Sequence, residues 1–477
     1  MAKDIIHKSI VLFFLVLSLW ACKTSNTAIK TENKSTPASY NNLQDSTNTA
    51  KIKWKDYFTD QNLSALIDTA LKNNQELNIT LQEIEISKNE VKARKGEYLP
   101  FVNIGGGAGI DKGSKFTRNG IVDENINIDP GTTDFPDPMP DFMLGISASW
   151  ELDIWKKLRN AKKASVAKYL SSVEGKNFMV TNLIAEIANS YYELIALDNQ
   201  LEIVQKNIEI QSNVLQTIIQ QKEAAKVTQL AVNRFEAQLL NTQNLQYEIQ
   251  QKITETENKL NFLVGRFPQP VQRASKTFND IVFDAIYEGL PSQLLENRPD
   301  IRQAELELTA TKLDVKVAKA NFYPSIGIKA NVGYQAFNPK HFVEPESMFF
   351  SLAGDLVAPL INRNAIKAAY FSANAKQIQA VYNYERTILN AYVEVVNELS
   401  KINNFAKSYQ TKSNEVEILS QSITISNNLF KSARADYMEV LLTQREALES
   451  RMELIEIKMK QMNAKINMYK ALGGGWN

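Results

Sequence analysis

The chain has 477 residues, a formal net charge of +1, one cysteine and two histidines. Balanced charge gives no electrostatic reason to expect a nucleic-acid partner, and a single cysteine allows no internal disulfide. So few cysteines and histidines also argue against Cys/His metal sites and against Cys–His or Ser–His catalytic pairs. No catalytic residue, metal site or cofactor is therefore predicted from these residue types.

The first 21 residues have the pattern of a signal peptide. Two lysines precede an apolar run, residues 10–20, that is too short to span a membrane as a helix. The run leads into "LWAC", which resembles the cleavage and acylation site of bacterial lipoproteins, so Cys22 is predicted to carry lipid. A plain signal peptide with an incidental cysteine is the alternative. Residues 22–53 are rich in Ser, Thr, Asn and Lys and are predicted to form a lipidated, solvated tether.

Three stretches alternate between apolar and polar residues. They are "FMLGISASWELDIW" in the first half of the chain and "SIGIKANVGYQA" and "MFFSLAGDL" in the second half. This alternation predicts strands with one apolar face, arranged as hairpins at about residues 100–154 and 324–358. Strands about ten residues long cross a membrane when tilted. A hairpin buried in a sandwich is the alternative, but it needs a second sheet that the sequence does not offer.

Two regions lack proline and almost all glycine. Proline is absent from residues 141–267, where Gly175 is the only glycine between residues 145 and 265, and residues 360–472 contain neither type. Helix interiors exclude both, at about 3 kcal/mol for proline and about 1 kcal/mol for glycine. Each region therefore predicts a hairpin of very long helices. The first leg, from about residue 156 to 222, would have about 67 residues and a length of about 100 Å.

The chain also contains an internal tandem repeat. Asn73 aligns with Asn297 at an offset of 224, and beyond the first hairpin Leu152 aligns with Leu356 at an offset of 204. The first copy thus holds an insertion between its strands, and residues 111–141 are predicted to form the long extracellular loop there. The repeats are predicted to span residues 54–270 and 271–477.

Four strands cannot close a barrel, and open strand edges are not tolerated in lipid. Because the smallest outer-membrane barrels have about eight strands, the chain is predicted to form an oligomer. A dimer, a trimer and a tetramer would supply eight, twelve and sixteen strands, and the residues alone do not choose among them.

Four motifs resemble the TolC-like outer-membrane efflux channels, in particular their lipoprotein branch. The motifs are "SWELDIWKKLRNA" at 149–161, "GLPSQLLENRPDIRQAE" at 289–305, "FKSARADYMEVLLTQREAL" at 430–448 and "ALGGGW" at 471–476. In the second motif Pro299 suits the first turn of a helix, and Arg298 and Asp300 are predicted to serve packing and capping. Two departures are Lys156 and Ala433, which stand where the family commonly has glycine.

The resemblance implies a mainly α fold with a transmembrane β portion. A homotrimer would form a twelve-stranded β-barrel, with four strands from each chain, continuous with a periplasmic α-barrel of long helices. The implied function is a passive exit duct for drugs or other small molecules, lipid-anchored in the outer membrane. Its implied partners are a periplasmic adaptor protein and an inner-membrane pump of the RND type. A channel for protein or peptide secretion is the alternative, and an envelope enzyme using paired carboxylates is a rival that lacks a pocket signature.

The candidate functional residues lie at the predicted tips of the helical hairpins. Asp436 follows the second tip, where three copies would converge, and its carboxylate is predicted to line the periplasmic aperture and attract cations. A solvated residue at a helix end is the alternative. At an offset of 210, Lys226 is its counterpart and is predicted to pair with it between neighbouring hairpins. The predicted adaptor contacts are Lys222, Glu223, Lys431 and Arg434.

Overall fold

The computed structural model describes residues 30–40, 46–125, 136–274, 278, 281, 287–432 and 434–476. The predicted signal peptide and Cys22 lie outside these residues. The helices and strands are, in chain order, α1 (Trp54–Tyr57), α2 (Gln61–Asn73), α3 (Gln75–Glu97), β1 (Phe101–Asp111), α4 (Arg118–Asn125), β2 (Met139–Leu152), α5 (Lys157–Glu223), α6 (Gln229–Val264), α7 (Leu294–Asn297), α8 (Pro299–Ala320), β3 (Ser325–Ala336), β4 (Met348–Val357), α9 (Asn364–Lys431) and α10 (Tyr437–Ala471).

The four strands form one antiparallel sheet in the order β1-β2-β3-β4, which confirms both predicted hairpins. The register aligns side chains of like polarity across all four strands. One exposed apolar row consists of Ile104, Ile146, Val332 and Phe350. The adjacent row, on the opposite face, consists of Asn103, Ser147, Asn331 and Ser351. The sheet therefore has the two faces that the alternation predicted.

The loop of the first hairpin is shorter than predicted at both ends. Asp111 pairs with Met139, so the prediction of a loop over residues 111–141 is wrong where β1 ends and where β2 begins. The short helix α4 also lies within it. Strand β3 pairs with β2 only from Phe142 onward, so Pro140 lies where β2 has a single neighbour, and a proline is tolerated there.

The long helices agree closely with the sequence. α5 has 67 residues and α9 has 68. Helices α7 and α8 are separate, because Arg298 between them is extended and α8 begins at Pro299. A proline disfavours helical geometry in the residue before it and suits the first helical position.

Arg298 is a buried connection between helix ends. Only 4% of it is exposed. Its guanidinium forms ion pairs of 2.7 Å with Asp300 and with Glu394 and donates to the carbonyl of Ala471 at 2.9 Å. Burial opposes the charge, but these acceptors keep the pKa of Arg298 above its usual value. The packing role predicted for this motif is confirmed.

The chain divides into two compact units. One includes residues 85–170 and 306–381 and contains the sheet, whereas the other includes residues 32–84, 171–305 and 382–477. Each predicted repeat contributes to both units, so the repeat boundaries stay a prediction. In the second unit α5 buries an apolar stripe at helical spacing, in which Ile187, Tyr191 and Leu194 are fully enclosed.

Part of the predicted tether is packed against the protein. Thr49 and Ala50 are 2% exposed, and the backbone amide of Thr49 donates to the carbonyl of Tyr287 at 3.0 Å. Earlier in the segment, the ring of Tyr40 stacks on Tyr392 with a centroid distance of 5.4 Å. The prediction of a solvated tether is therefore wrong for these residues, because a polar extended segment can satisfy its backbone on a surface formed by distant parts of the chain.

Candidate functional site at the helical tips

The first tip is the five-residue connection between α5 and α6, residues 224–228. The amide of Lys226 donates to the carbonyl of Gln221 at 2.8 Å, and that of Ala225 donates to Lys222 at 2.9 Å. These bonds close the C-terminal turn of α5 in the manner of a Schellman motif. Ala225 has a φ of 60°, so an alanine occupies a left-handed position that normally favours glycine.

The second tip, residues 432–436, has the same length and a matching closing bond. The amide of Arg434 donates to the carbonyl of Leu429 at 2.9 Å, whereas Ala433 lies outside the described residues. This bond makes Arg434 the equivalent of Lys226. The helices that follow begin at Gln229 and Tyr437, so the offset at the tips is 208.

The counterpart of Asp436 in the first repeat is therefore Thr228, and the assignment of Lys226 is wrong. Both Thr228 and Asp436 are the N-cap residues of the helices they precede. The two connections have the same length, so each return helix begins the same number of residues after the preceding long helix ends. This equal length establishes that Thr228 corresponds to Asp436. The sequence alignment placed the counterpart two residues too early.

Asp436 presents an exposed carboxylate at the N-terminus of α10. Its backbone is extended, with φ −80° and ψ 155°, and its side chain forms no capping hydrogen bond. A negative charge suits this position because the helix dipole is positive there. Among the described residues Asp436 has no ion-pair partner, and the predicted pair with Lys226 is not formed within the chain.

The predicted adaptor contacts are also exposed. They are Lys222, Glu223, Lys431 and Arg434. None of the four forms a side-chain ion pair with another described residue. Exposed ion pairs contribute only about 0.2–1 kcal/mol each, so charges at these positions suit contacts that are exchanged rather than permanent.

An apolar cluster holds the two tips of one chain together. Its buried members are Ile218, Ala231, Val232 and Phe235, and Phe430, Tyr437 and Leu441 from the second hairpin pack against them. The ring centroids of Phe235 and Tyr437 are 6.5 Å apart. The sequence predicted an ion pair between the two tips, whereas the structure joins the tips of one chain through apolar contacts. The apolar residues flanking each tip were the available signal.

Two features are absent from the described part of the chain. No helix there combines the length and hydropathy of a membrane span, and no cluster of His, Cys, Asp and Glu side chains is arranged to hold a metal ion.

The sheet has one exposed apolar face, and two of its strands lead into helices of 67 and 68 residues. This combination is characteristic of a protomer of the TolC-like channels. The model of the outer membrane efflux protein family matches residues 66–266 and 290–474. The chain belongs to the outer membrane efflux protein family. The predicted function, an outer-membrane efflux channel, and the predicted outer-membrane location are those of this family and are confirmed.

Several relatives are similar over most of their length. The pyoverdine export outer membrane protein OpmQ of Pseudomonas aeruginosa is 26% identical over 426 residues, which cover 89% of this chain and 87% of the relative. The toluene efflux pump outer membrane protein TtgI of Pseudomonas putida is 26% identical, with 90% and 88% covered. The cation efflux system protein CusC of Escherichia coli is 24% identical, with 89% and 88% covered.

Solved structures share the fold. The structure of CusC matches with a TM-score of 0.79 at 21% identity and covers 95% of this chain and all of the other. The open-state MtrE channel of Neisseria gonorrhoeae matches with a TM-score of 0.82 at 21% identity, covering 95% and 99%. The predicted fold class, mainly helical with four strands per chain, is confirmed.

Proposed function

We propose that the chain is the outer-membrane exit duct of a tripartite efflux system for drugs or other small molecules. It works with a periplasmic adaptor and an inner-membrane pump of the RND type. The observation that carries the proposal is the direct passage from a two-faced strand into a helix of 67 residues, β2 into α5. The named relatives export pyoverdine, toluene and cations, which supports small cargo for this chain.

The junction between β2 and α5 is built to hold the sheet and helix in fixed relation. The Asp153 carboxylate accepts hydrogen bonds of 2.9 Å from the backbone amides of Leu158 and Arg159. The Trp155 indole donates to the carbonyl of Pro324 at 2.7 Å and stacks on Tyr323. The motif "SWELDIWKKLRNA" therefore joins the end of one hairpin to the start of the other.

A homotrimer accounts for the surfaces that one chain leaves open. Within the described residues, the outer edges of β1 and β4 have no partner strand. Exposed apolar residues on α9 recur at helical spacing, which is the pattern of a helix covered by another helix. They are Leu389, Val393, Val396, Ile418, Ile425 and Leu429. Further copies of this chain supply both kinds of partner, and three copies give the twelve strands expected of the fold.

The path of the N-terminal segment supports a lipid anchor at Cys22. The Gln377 side chain donates to the carbonyl of Lys30 at 2.9 Å, and Tyr40 stacks on Tyr392. Gln377 is nearer the start of α9 than Tyr392, so the segment from Lys30 to Tyr40 runs along α9 away from the end of the helix that follows the sheet. Cys22 precedes Lys30 by eight residues, and eight residue steps span at most about 29 Å, so an anchor at Cys22 would stay within that distance of the backbone of Lys30 and hence close to the part of α9 that follows the sheet.

The test is a combination of assembly, conductance and export. The purified full-length protein is expected to migrate as a trimer, to give stepwise conductance in planar bilayers, and to restore drug tolerance to a host lacking its own outer-membrane channel when supplied with its adaptor and pump. A trimer that conducts but restores only protein or peptide secretion would replace this proposal with the secretion channel. A non-conducting monomer would overturn both.

A further inference from the structure

Two apolar clusters follow one another along the helical hairpins. The tip cluster is the one around Ile218 and Phe235 described above. The middle cluster is centred on Leu197, Val204, Ile249 and Leu448. Helices α5, α6 and α10 contribute to both clusters. Between them α10 buries Ala447 beside Leu448, and each of the three helices also buries one polar residue, namely Gln211 on α5, Thr242 on α6 and Gln444 on α10. These three residues are called the glutamine layer.

The spacing puts both glutamines on the seam that the clusters occupy. On α5, Gln211 follows Ile208 of the middle cluster by three residues and precedes Leu215 of the tip cluster by four. On α10, Gln444 follows Leu441 of the tip cluster by three residues and precedes Leu448 by four. Steps of three and four keep residues on one face of a helix.

The amides of the glutamine layer are not satisfied. Gln211 is 3% exposed and Gln444 is 5% exposed, and in both side chains the nitrogen and the oxygen are buried without a hydrogen-bond partner. Thr242, by contrast, donates from its hydroxyl to the carbonyl of Gln238 at 3.0 Å. An unpaired buried amide is costly, whereas an apolar side chain of similar size at the same place is not.

We propose that the glutamine layer is a built-in boundary at which the paired tips open as a unit while the middle cluster stays closed. Parting the helices at an apolar level exposes apolar surface, but parting them at this level lets Gln211 and Gln444 gain the hydrogen bonds they lack. The free energy needed to separate the helices is therefore lowest on the tip side of the glutamine layer. This regulation of the aperture rests on the proposed function of the tips.

The experiment replaces both amides by leucine, as Gln211→Leu/Gln444→Leu, and follows backbone hydrogen exchange of the purified full-length protein. Amides between residues 214 and 235 are expected to exchange at least tenfold more slowly than in the wild type, with those between residues 245 and 260 unchanged. The matched control, Gln216→Leu/Gln250→Leu, alters exposed glutamines of α5 and α6 and should leave both regions unchanged.

Unchanged or faster exchange in the tip segment of the leucine variant would overturn the proposal, and so would equal slowing by the control. If leucine prevents assembly, Gln211→Met/Gln444→Met makes the same test with a more adaptable side chain. Hydrogen exchange is measured without any transport assay, so it tests the glutamine layer independently of the proposed duct function. Failure of the wild type to conduct counts against the duct, whereas a conducting wild type whose exchange ignores the substitution counts against the glutamine layer.

Discussion

At the scale of single residues, three non-glycine residues of the described chain adopt left-handed backbone geometry, and each lies at a turn next to a long helix. They are Lys156, Ala225 and Asn362, with φ of 58°, 60° and 53°. Lys156 directly precedes α5 and is the position where the family commonly has glycine. The sequence identified the departure, and the structure gives the reason why glycine suits the site.

Lys156→Gly is expected to stabilise the protein. Relief of left-handed strain is worth about 1–2 kcal/mol, and the larger entropy of glycine in the unfolded chain offsets about 0.5–1 kcal/mol of it. The thermal unfolding midpoint of the detergent-solubilised protein measures the effect. The neighbouring substitution Lys157→Gly is the control. It should lower the midpoint, because Lys157 is helical and pairs with Glu151. Equal losses for both variants would contradict the strain argument.

Asp436→Ala is expected to raise single-channel conductance in planar bilayers and to weaken block by divalent cations. The carboxylate is exposed and forms no cap hydrogen bond, so its removal takes away a cation site and should change stability by no more than about 0.5 kcal/mol. Thr228→Ala is the matched control, because Thr228 is the N-cap of the first return helix. Unaltered conductance and cation block in a well-formed Asp436→Ala trimer would leave Asp436 as a solvated helix-end residue.

At the scale of elements, the start of α5 depends on one carboxylate. Asp153 accepts two backbone amides and the Arg159 side chain. Burial alone would raise the pKa of Asp153, but these hydrogen bonds outweigh it and hold the pKa below its usual value. The stabilisation by the carboxylate is therefore complete above the unfolded pKa of about 3.9, and it is lost as pH falls through the lower folded pKa.

Asp153→Asn should accordingly destabilise the protein by about 1–3 kcal/mol at pH 7, because the amide has no charge and its single oxygen cannot accept all three hydrogen bonds. The difference from the wild type should shrink as the pH falls from 5 towards 2. Chemical unfolding at a series of pH values measures it. A difference that stayed constant over this range would show that the charge of Asp153 does not matter to the junction.

Element types were predictable for a local reason. Exclusion of proline and glycine marks helix interiors, and alternation marks strands, so α5 and the strands β2, β3 and β4 were anticipated to within a few residues. The glutamine layer was not. From sequence alone, a glutamine in a long helix with many polar residues is expected to be exposed. Only the packing of the partner helices shows that Gln211 and Gln444 are buried.

At the scale of the whole molecule, the proposal combines a lipid anchor, a sheet for the membrane and helices for the periplasm. The docked segment of residues 30–40 has its own contacts, such as the ion pair between Lys34 and Glu305. Folding of the chain should therefore not depend on acylation.

Cys22→Ser is expected to abolish acylation while leaving a folded trimer. Metabolic labelling with palmitate measures the first effect, and migration of the purified protein measures the second. Labelling at the wild-type level would contradict the lipoprotein prediction, and loss of the trimer would mean that the anchor is needed for assembly.

The sequence by itself determined the element order, the two-faced strands, the lengths of the long helices and the resemblance that the family match bears out. All of these depend on residues close together in the chain. Only the tertiary structure decided that Thr228 corresponds to Asp436, that Thr49 and Ala50 are buried, that one apolar cluster unites both tips, and that two unpaired amides divide that cluster from the next. These features depend on which surfaces of distant segments pack together. A side chain is buried by such packing, which the residues next to it in the sequence do not determine.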